Sequence, residues 1–307
     1  MKFEKSIQKG LSELRKDNKS GANQLIDKSL EILKLQLDLI KDPHQDIKDL
    51  VLDLSKEIIE SRPSMAPLIN TVGYLISGLD SYTKYEVIKR IENLNIVKNE
   101  INQNLEKEFK NFLIKQSINK PKIMLISYSS TILNLLTKNH NRNFILYILE
   151  SRPLLEGKTV AEILSLSFET HLIIDAAMGK FIKEIDFVLV GIDSILKNGS
   201  IVNKIGTYPL ACIAKENKKE VYGVGDSFKY NLKSHYNNEI LIENKPIIEV
   251  YDKKTKNELL KIHNYYFDIT PPQFISGIIS DLGVLTPQEF LKEIKNVVPL
   301  DWFKEFI

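Results

Sequence analysis

The segment "VLVGIDSILKNGSIVNKIGTYPLA", residues 188–211, sets one acid and one amide-ammonium pair where chemistry could take place. Asp193 follows the apolar run Phe187–Val190 after a Gly191-Ile192 turn. A carboxylate at the carboxyl end of a buried strand either caps the turn or works as a general acid or base whose pKa a partly closed cleft raises. Asn203 and Lys204 come just before Gly206 and a helical stretch, Thr207–Glu216. Free backbone N–H groups at a helix start, with an amide and an ammonium beside them, suit a phosphate or another anion. The simpler reading is a helix start beside a solvated lysine.

Further groups of the same chemistry recur along the chain. "SYSSTIL" at 127–133 offers the hydroxyls of Ser129 and Ser130 at another strand-to-helix junction, which suits an anion or plain capping. Arg152 in "ESRPLL" and Arg62 in "ESRPSM" share a Glu-Ser-Arg-Pro pattern. The proline restricts the backbone and suits a helix start, and such an arginine offers bidentate contacts to phosphate or a surface salt bridge. Ser20-Gly21-Ala22, after Lys19, forms a Gly-containing turn before the first strong helical pattern. No Walker Gly-Lys-Ser/Thr loop, no Gly-x-Gly-x-x-Gly after a strand and no His-Glu-x-x-His occurs, and the five histidines are scattered. No cofactor and no metal are therefore expected.

The elements that must position these groups fall into two halves. From about residue 20 to 118 apolar residues recur at helical spacing, as in Leu30, Leu33, Leu37 and Ile40, then Ile47, Leu50, Leu54 and Ile58. After Lys120 come short apolar runs separated by helix-length segments: Ile123–Ser127, Phe144–Leu149, Leu172–Ile174, Phe187–Val190 and Val221–Val224. Such runs predict a parallel sheet covered on both faces. The fold expected is α/β: an N-terminal helical domain, 1–118, followed by a doubly wound, mainly parallel, Rossmann-like sheet domain, 119–307. In such sheets ligands bind outside the carboxyl ends of the strands, where the strand order switches. Ser127–Thr131, Arg152, Asp175, Asp193 and Lys229 follow the predicted strands and are site candidates on that ground alone.

Bulk composition narrows the classes of function. The 307 residues are 43% hydrophobic, enough for a substantial core, and 42 Lys+Arg against 40 Asp+Glu leave a net charge of +2. No single-sign field calls for direct contact with nucleic acid or an anionic membrane. Cys212 is the one cysteine, which excludes an intramolecular disulfide and a Cys-based metal site and fits a reducing compartment. Neither a leader-type apolar region nor a membrane-length apolar stretch is present, so the protein is expected in the cytoplasm.

"ESRPLLEGKTVAEIL", "LIIDAAMG", "DFVLVGIDSILKNGSIVNKIGTYPLACIAKE" and "YFDITPPQFISGIISDLGVL" occur in that order. Together they resemble the superfamily of initiation factor 2B alpha/beta/delta-type subunits, which also holds the ribose-1,5-bisphosphate and methylthioribose-1-phosphate isomerases. The resemblance covers most of 120–290. It implies that the Gly-x-Asp acid of the isomerases corresponds to Asp193 and that their catalytic cysteine falls nearest Ser129. It also implies phosphate contacts from Asn203, Lys204, Lys229, Arg62 and the Ser20-Gly21-Ala22 turn. With the thiol replaced by serine, the resemblance points to a regulatory 2B-type subunit. Its expected partners are initiation factor 2, through the alpha subunit of that factor, a phosphorylated small molecule such as a sugar phosphate or nucleotide monophosphate, and further copies in a homodimer or larger oligomer. The alternative it implies is a sugar-phosphate isomerase, acting between aldose and ketose, with Asp193 as the catalytic residue.

Overall fold

The computed structural model describes residues 3–17, 22–61, 65–79, 81–236, 240, 242, 244–253 and 259–297. The first part of the chain forms five helices: α1 (Lys5–Lys16), α2 (Ala22–Asp38), α3 (Lys48–Ser61), α4 (Ala66–Ile76) and α5 (Lys84–Gln116). Their apolar stripes at helical spacing, among them Leu30, Leu33, Leu37, Leu54 and Ile58, are buried. Thr83 starts α5 by accepting the Glu86 N–H on its side chain, and Ser117, in the left-handed region at φ 54°, ends it.

Beyond it a seven-stranded sheet is wound with helices on both faces, as the spacing of the apolar runs predicts. Its strands are β1 (Lys122–Ile126), β2 (Ile145–Leu149), β3 (Glu169–Ile173), β4 (Phe187–Gly191), β7 (Glu220–Val224), β9 (Gly277–Ser280) and β10 (Gly283–Leu285). They stand in the order β10-β9-β7-β4-β1-β2-β3, all parallel except the β9–β10 pair. Helices α6 (Ser130–Lys138), α7 (Glu156–Leu164), α8 (Met178–Phe181) and α9 (Thr207–Glu216) lie between strands. A second sheet of three antiparallel strands, β5 (Ser194–Ile195), β6 (Ile201–Lys204) and β8 (Phe267–Thr270), grows from the end of β4.

Strand side chains alternate between faces, and the core divides accordingly. Ile123, Leu125, Phe187 and Leu189 face one layer, which Leu105, Phe109 and Phe112 from the second half of α5 complete. Phe112 meets Phe187 and Tyr222 edge-on at ring-centroid distances of 5.4 and 4.6 Å. Met124, Ile126, Val188 and Val190 face the other layer, whose cluster runs on into α1–α4. The third run behaves differently from the expectation of burial on both faces. β3 is one of the two edge strands, and its Leu172 and the following Ile174 are 47% and 59% exposed.

Candidate functional site

Strand order reverses between β1 and β4: from β1 the chain winds outward through β2 and β3, then returns to β4 and continues to β7 on the other side. Crossovers diverge there and leave a crevice at the carboxyl ends. The crevice is lined by Ser127 to Thr131, Gly191, Asp193, Asn203 and Lys229, and spans about 520 Å³ including space open to solvent.

Each wall has a local cause. Ser127 ends β1 in the left-handed region at φ 68° and donates its N–H to Ser151 Oγ at 2.7 Å, turning the chain toward α6. Ser129 is the N-cap of that helix, its Oγ accepting the Ile132 N–H at 3.3 Å, and Ser130 opens the first turn. Asp193 follows β4 at the start of the small sheet and donates its backbone N–H to Val202 O at 2.9 Å. Burial raises its carboxyl pKa, Lys229 and Lys204 pull the other way, and Glu156 adds to the rise.

Asn203 and Lys204 stand on a strand, β6, rather than in the irregular lead-in to a helix that the sequence suggests. Successive strand residues point to opposite faces. Asn203 therefore lines the cleft, donating from Nδ2 to Thr207 Oγ1 at 3.0 Å, while Lys204 turns away from it. Its Nζ, on a side chain only 3% exposed, stands 2.6 Å from Glu156 Oε1 and 5.1 Å from the centre of the Tyr266 ring. Opposite Asn203 in the ladder is Asp268, whose Oδ2 accepts the N–H groups of Gly206 and Tyr208 at 2.8 and 3.1 Å. Burial pushes the Asp268 carboxyl up to about 6 despite these bonds. Lys229, 8% exposed, ends a single helical turn after β7. Asn70 of α4 fixes that turn by donating from Nδ2 to the carbonyls of Phe228 and Tyr230, both at 2.6 Å.

The remaining candidates fall elsewhere. Arg152 lies outside the lining, with Nη2 donating to Glu249 O at 3.3 Å. Its proline does not open a helix, because α7 begins only at Glu156. Asp175 holds the turn after β2 by accepting the N–H groups of Ser151 and Arg152 at 2.8 and 2.7 Å. Ser20, Gly21 and Arg62 lie outside the described residues, and Ala22 is the first residue of α2. Reasoning from the sequence overlooked Glu156, Thr207, Tyr266 and Asp268. Only Glu156 carried a signal, an acid in the first turn of a helix that follows a strand end.

With this cleft in place, known proteins supply the family. A model of the initiation factor 2 subunit family matches residues 18–287. The chain belongs to that family. Within it, a translation initiation factor eIF-2B subunit 2-like protein of Pyrococcus furiosus is 30% identical, over 92% of this chain and 96% of its own length. A ribose 1,5-bisphosphate isomerase of Methanocaldococcus jannaschii is 31% identical, over 80% of this chain and 79% of its own. The crystal structure of the Pyrococcus horikoshii translation initiation factor eIF-2B matches with a TM-score of 0.78 at 26% identity, covering 95% of this chain and all of that one. Initiation factor 2 family relatives named for translation and for isomerisation thus match over comparable lengths, and the residues of the cleft must choose between them.

Proposed function

We propose that the chain is a non-catalytic, initiation factor 2B-type regulatory subunit whose cleft binds a phosphorylated small molecule, a sugar phosphate or nucleoside monophosphate, and which docks on initiation factor 2. Ser129 carries this reading. It stands at the head of the cleft, its Oγ is taken up in capping α6, and no histidine lines the cleft among the described residues. A serine hydroxyl without a hydrogen-bonded base is not activated. The anion-binding groups stay in place: the start of α6 at Ser129 and Ser130, the Asn203 amide and the Lys229 ammonium. Lys204 is one displacement away. The exposed Leu172 and Ile174 beside the edge strand β3 support assembly into a dimer or larger oligomer.

The rival reading, a sugar-phosphate isomerase, rests on Asp193, whose raised pKa suits a general acid. Aldose-ketose interconversion also needs a base for the carbon-bound proton, and Glu156, a further carboxylate acting on Asp193, is paired with Lys204. Proton NMR of the protein with ribose-1,5-bisphosphate, with Asp193→Asn as control, separates the two. Ligand signals broadened by binding, with no ribulose-1,5-bisphosphate formed, are expected. Turnover by the wild type that the variant loses would overturn the proposal. Co-purification with initiation factor 2 tests the partner, and a protein that fails to retain the factor would remove the translational role.

A further inference from the structure

The ion pair behind the cleft has an unusual balance of contacts. Lys204 Nζ and Glu156 Oε1 approach to 2.6 Å, yet Nζ is buried with no hydrogen-bond partner among the described residues, and so is the second oxygen, Glu156 Oε2. Directed hydrogen bonding is sparse: Glu156 Oε1 accepts from the Ser127 hydroxyl at 3.4 Å and its side chain is 23% exposed, so the desolvation of the buried Lys204 is only partly offset. Such a pair is open to exchange. The ring of Tyr266 lies against the ammonium and favours a cation at that place whichever anion faces it. Lys204 is the last residue of β6, with a flexible four-carbon stem, and the Asp193 carboxyl feels both Lys204 and Glu156.

We propose that Glu156 is a resident counter-anion which a ligand must displace from Lys204, and that it restricts the cleft to phosphate monoester dianions. The inference rests on the reading of the cleft as an anion site. A singly charged ligand, whether a carboxylate or a phosphodiester, exchanges one charge for an equal one at Lys204 and meets the negative charges of Glu156 and Asp193 in doing so. A dianion doubles the repulsion as well as the attraction, but the attraction to Lys204 and Lys229 acts at contact distance while the cost of displacing Glu156 does not grow with ligand charge. Selectivity thus comes from that fixed displacement cost set against an attraction that scales with charge. Oε2 of Glu156, without a partner in the resting pair, can accept a hydrogen bond from a hydroxyl of the same ligand.

The test compares inorganic phosphate with dimethyl phosphate at mildly alkaline pH, by calorimetric titration of wild type and Glu156→Gln. Wild type should bind phosphate and not dimethyl phosphate. The neutral isostere should bind phosphate about tenfold more tightly and acquire affinity for dimethyl phosphate. Unchanged affinity and selectivity in Glu156→Gln, or weaker phosphate binding, overturns the proposal. Lys229→Ala separates it from the reading beneath it: if wild type binds no phosphate, or Lys229→Ala binds it as well as wild type, the anion site itself fails. Should Glu156→Gln not fold, Glu156→Asp serves instead. Its carboxylate falls short of Lys204 and should also tighten phosphate binding, and no gain in affinity there is equally decisive against the role of Glu156.

Discussion

Gly191 approaches Ser129 so closely that a Cβ on the glycine would stand 3.0 Å from the serine Cβ and 3.1 Å from its Oγ. Asn203 Oδ1 would lie 3.5 Å from the same point. The glycine is thus required by space, since it lets the end of β4 pass beneath the head of α6 while both walls of the cleft stay close. Gly191→Ala should push Ser129 and Asn203 apart. Overpacking of this kind costs about 1–3 kcal/mol, or roughly tenfold or more if the strain falls on the bound state. A phosphate titration and a denaturant melt of the variant read the two quantities, and full affinity in Gly191→Ala would place the ligand elsewhere.

The charge of Asp193 makes anion binding depend on pH, and the sign follows from its surroundings. Burial keeps the carboxyl neutral to a pH above its ordinary 3.8, and on ionising it confronts any anion held by Lys229. Sulfate, doubly charged throughout, should bind best on the acid side and lose affinity as pH rises through the titration of Asp193. In Asp193→Asn this slope should vanish and the affinity at neutral pH should exceed that of the wild type. Calorimetry with sulfate from acid to neutral pH provides the check. A wild type and variant with parallel profiles would show that Asp193 does not face the ligand.

Much of this architecture was legible in the residues, for physical reasons. Ile123–Ser127, Phe144–Leu149, Phe187–Val190 and Val221–Val224 overlap β1, β2, β4 and β7 because central parallel strands bury both faces and read as unbroken apolar runs. β6 lacks that signature: "SIVNK" is short, pairs antiparallel outside the main sheet and ends in polar residues. The alternation of a strand, unlike a loop, sends Asn203 and Lys204 to opposite faces, so one lines the cleft and the other does not. Glu156 and Lys204 are joined across a fold that brings the start of α7 against the small sheet. No local periodicity reports such a pairing, although an acid at a helix start invites a search for its partner.

Asp268 supplies a dependence of stability on pH that can be separated from ligand binding. Its carboxyl is raised to about 6 from an ordinary 3.8, chiefly by burial, so the folded state holds the proton more tightly than the unfolded chain. Stability from this group is therefore greatest at low pH and is lost as pH rises from about 4 to about 6. Relative to Asp268→Asn, the wild type should lose up to roughly 3 kcal/mol of unfolding free energy across that interval. Denaturant melts of both proteins at several pH values give the difference. A gap that stays constant, or widens in favour of the wild type, would show that the N–H groups of Gly206 and Tyr208 outweigh burial.

Asn70 tests whether the helical half of the chain sets the geometry of the cleft. It is buried at 4% exposure, is not itself part of the lining, and joins α4 to the Lys229 turn through its two bonds to the carbonyls of Phe228 and Tyr230, next to a ring contact between Tyr74 and Phe228. Asn70→Ala leaves both carbonyls unpaired, a loss of about 1–3 kcal/mol for each buried group that water cannot reach. A general loss of stability could also weaken binding, so the comparison needs a second variant. Leu54→Ala, in the helical core with a fully buried side chain, should cost about 2–5 kcal/mol and leave phosphate affinity unchanged below its melting range. Asn70→Ala should lower that affinity even where the protein is fully folded, because Lys229 is no longer held at the cleft. Equal affinity in the two variants would mean that the turn keeps its position without α4, and that the helical half contributes stability to the site but not its geometry.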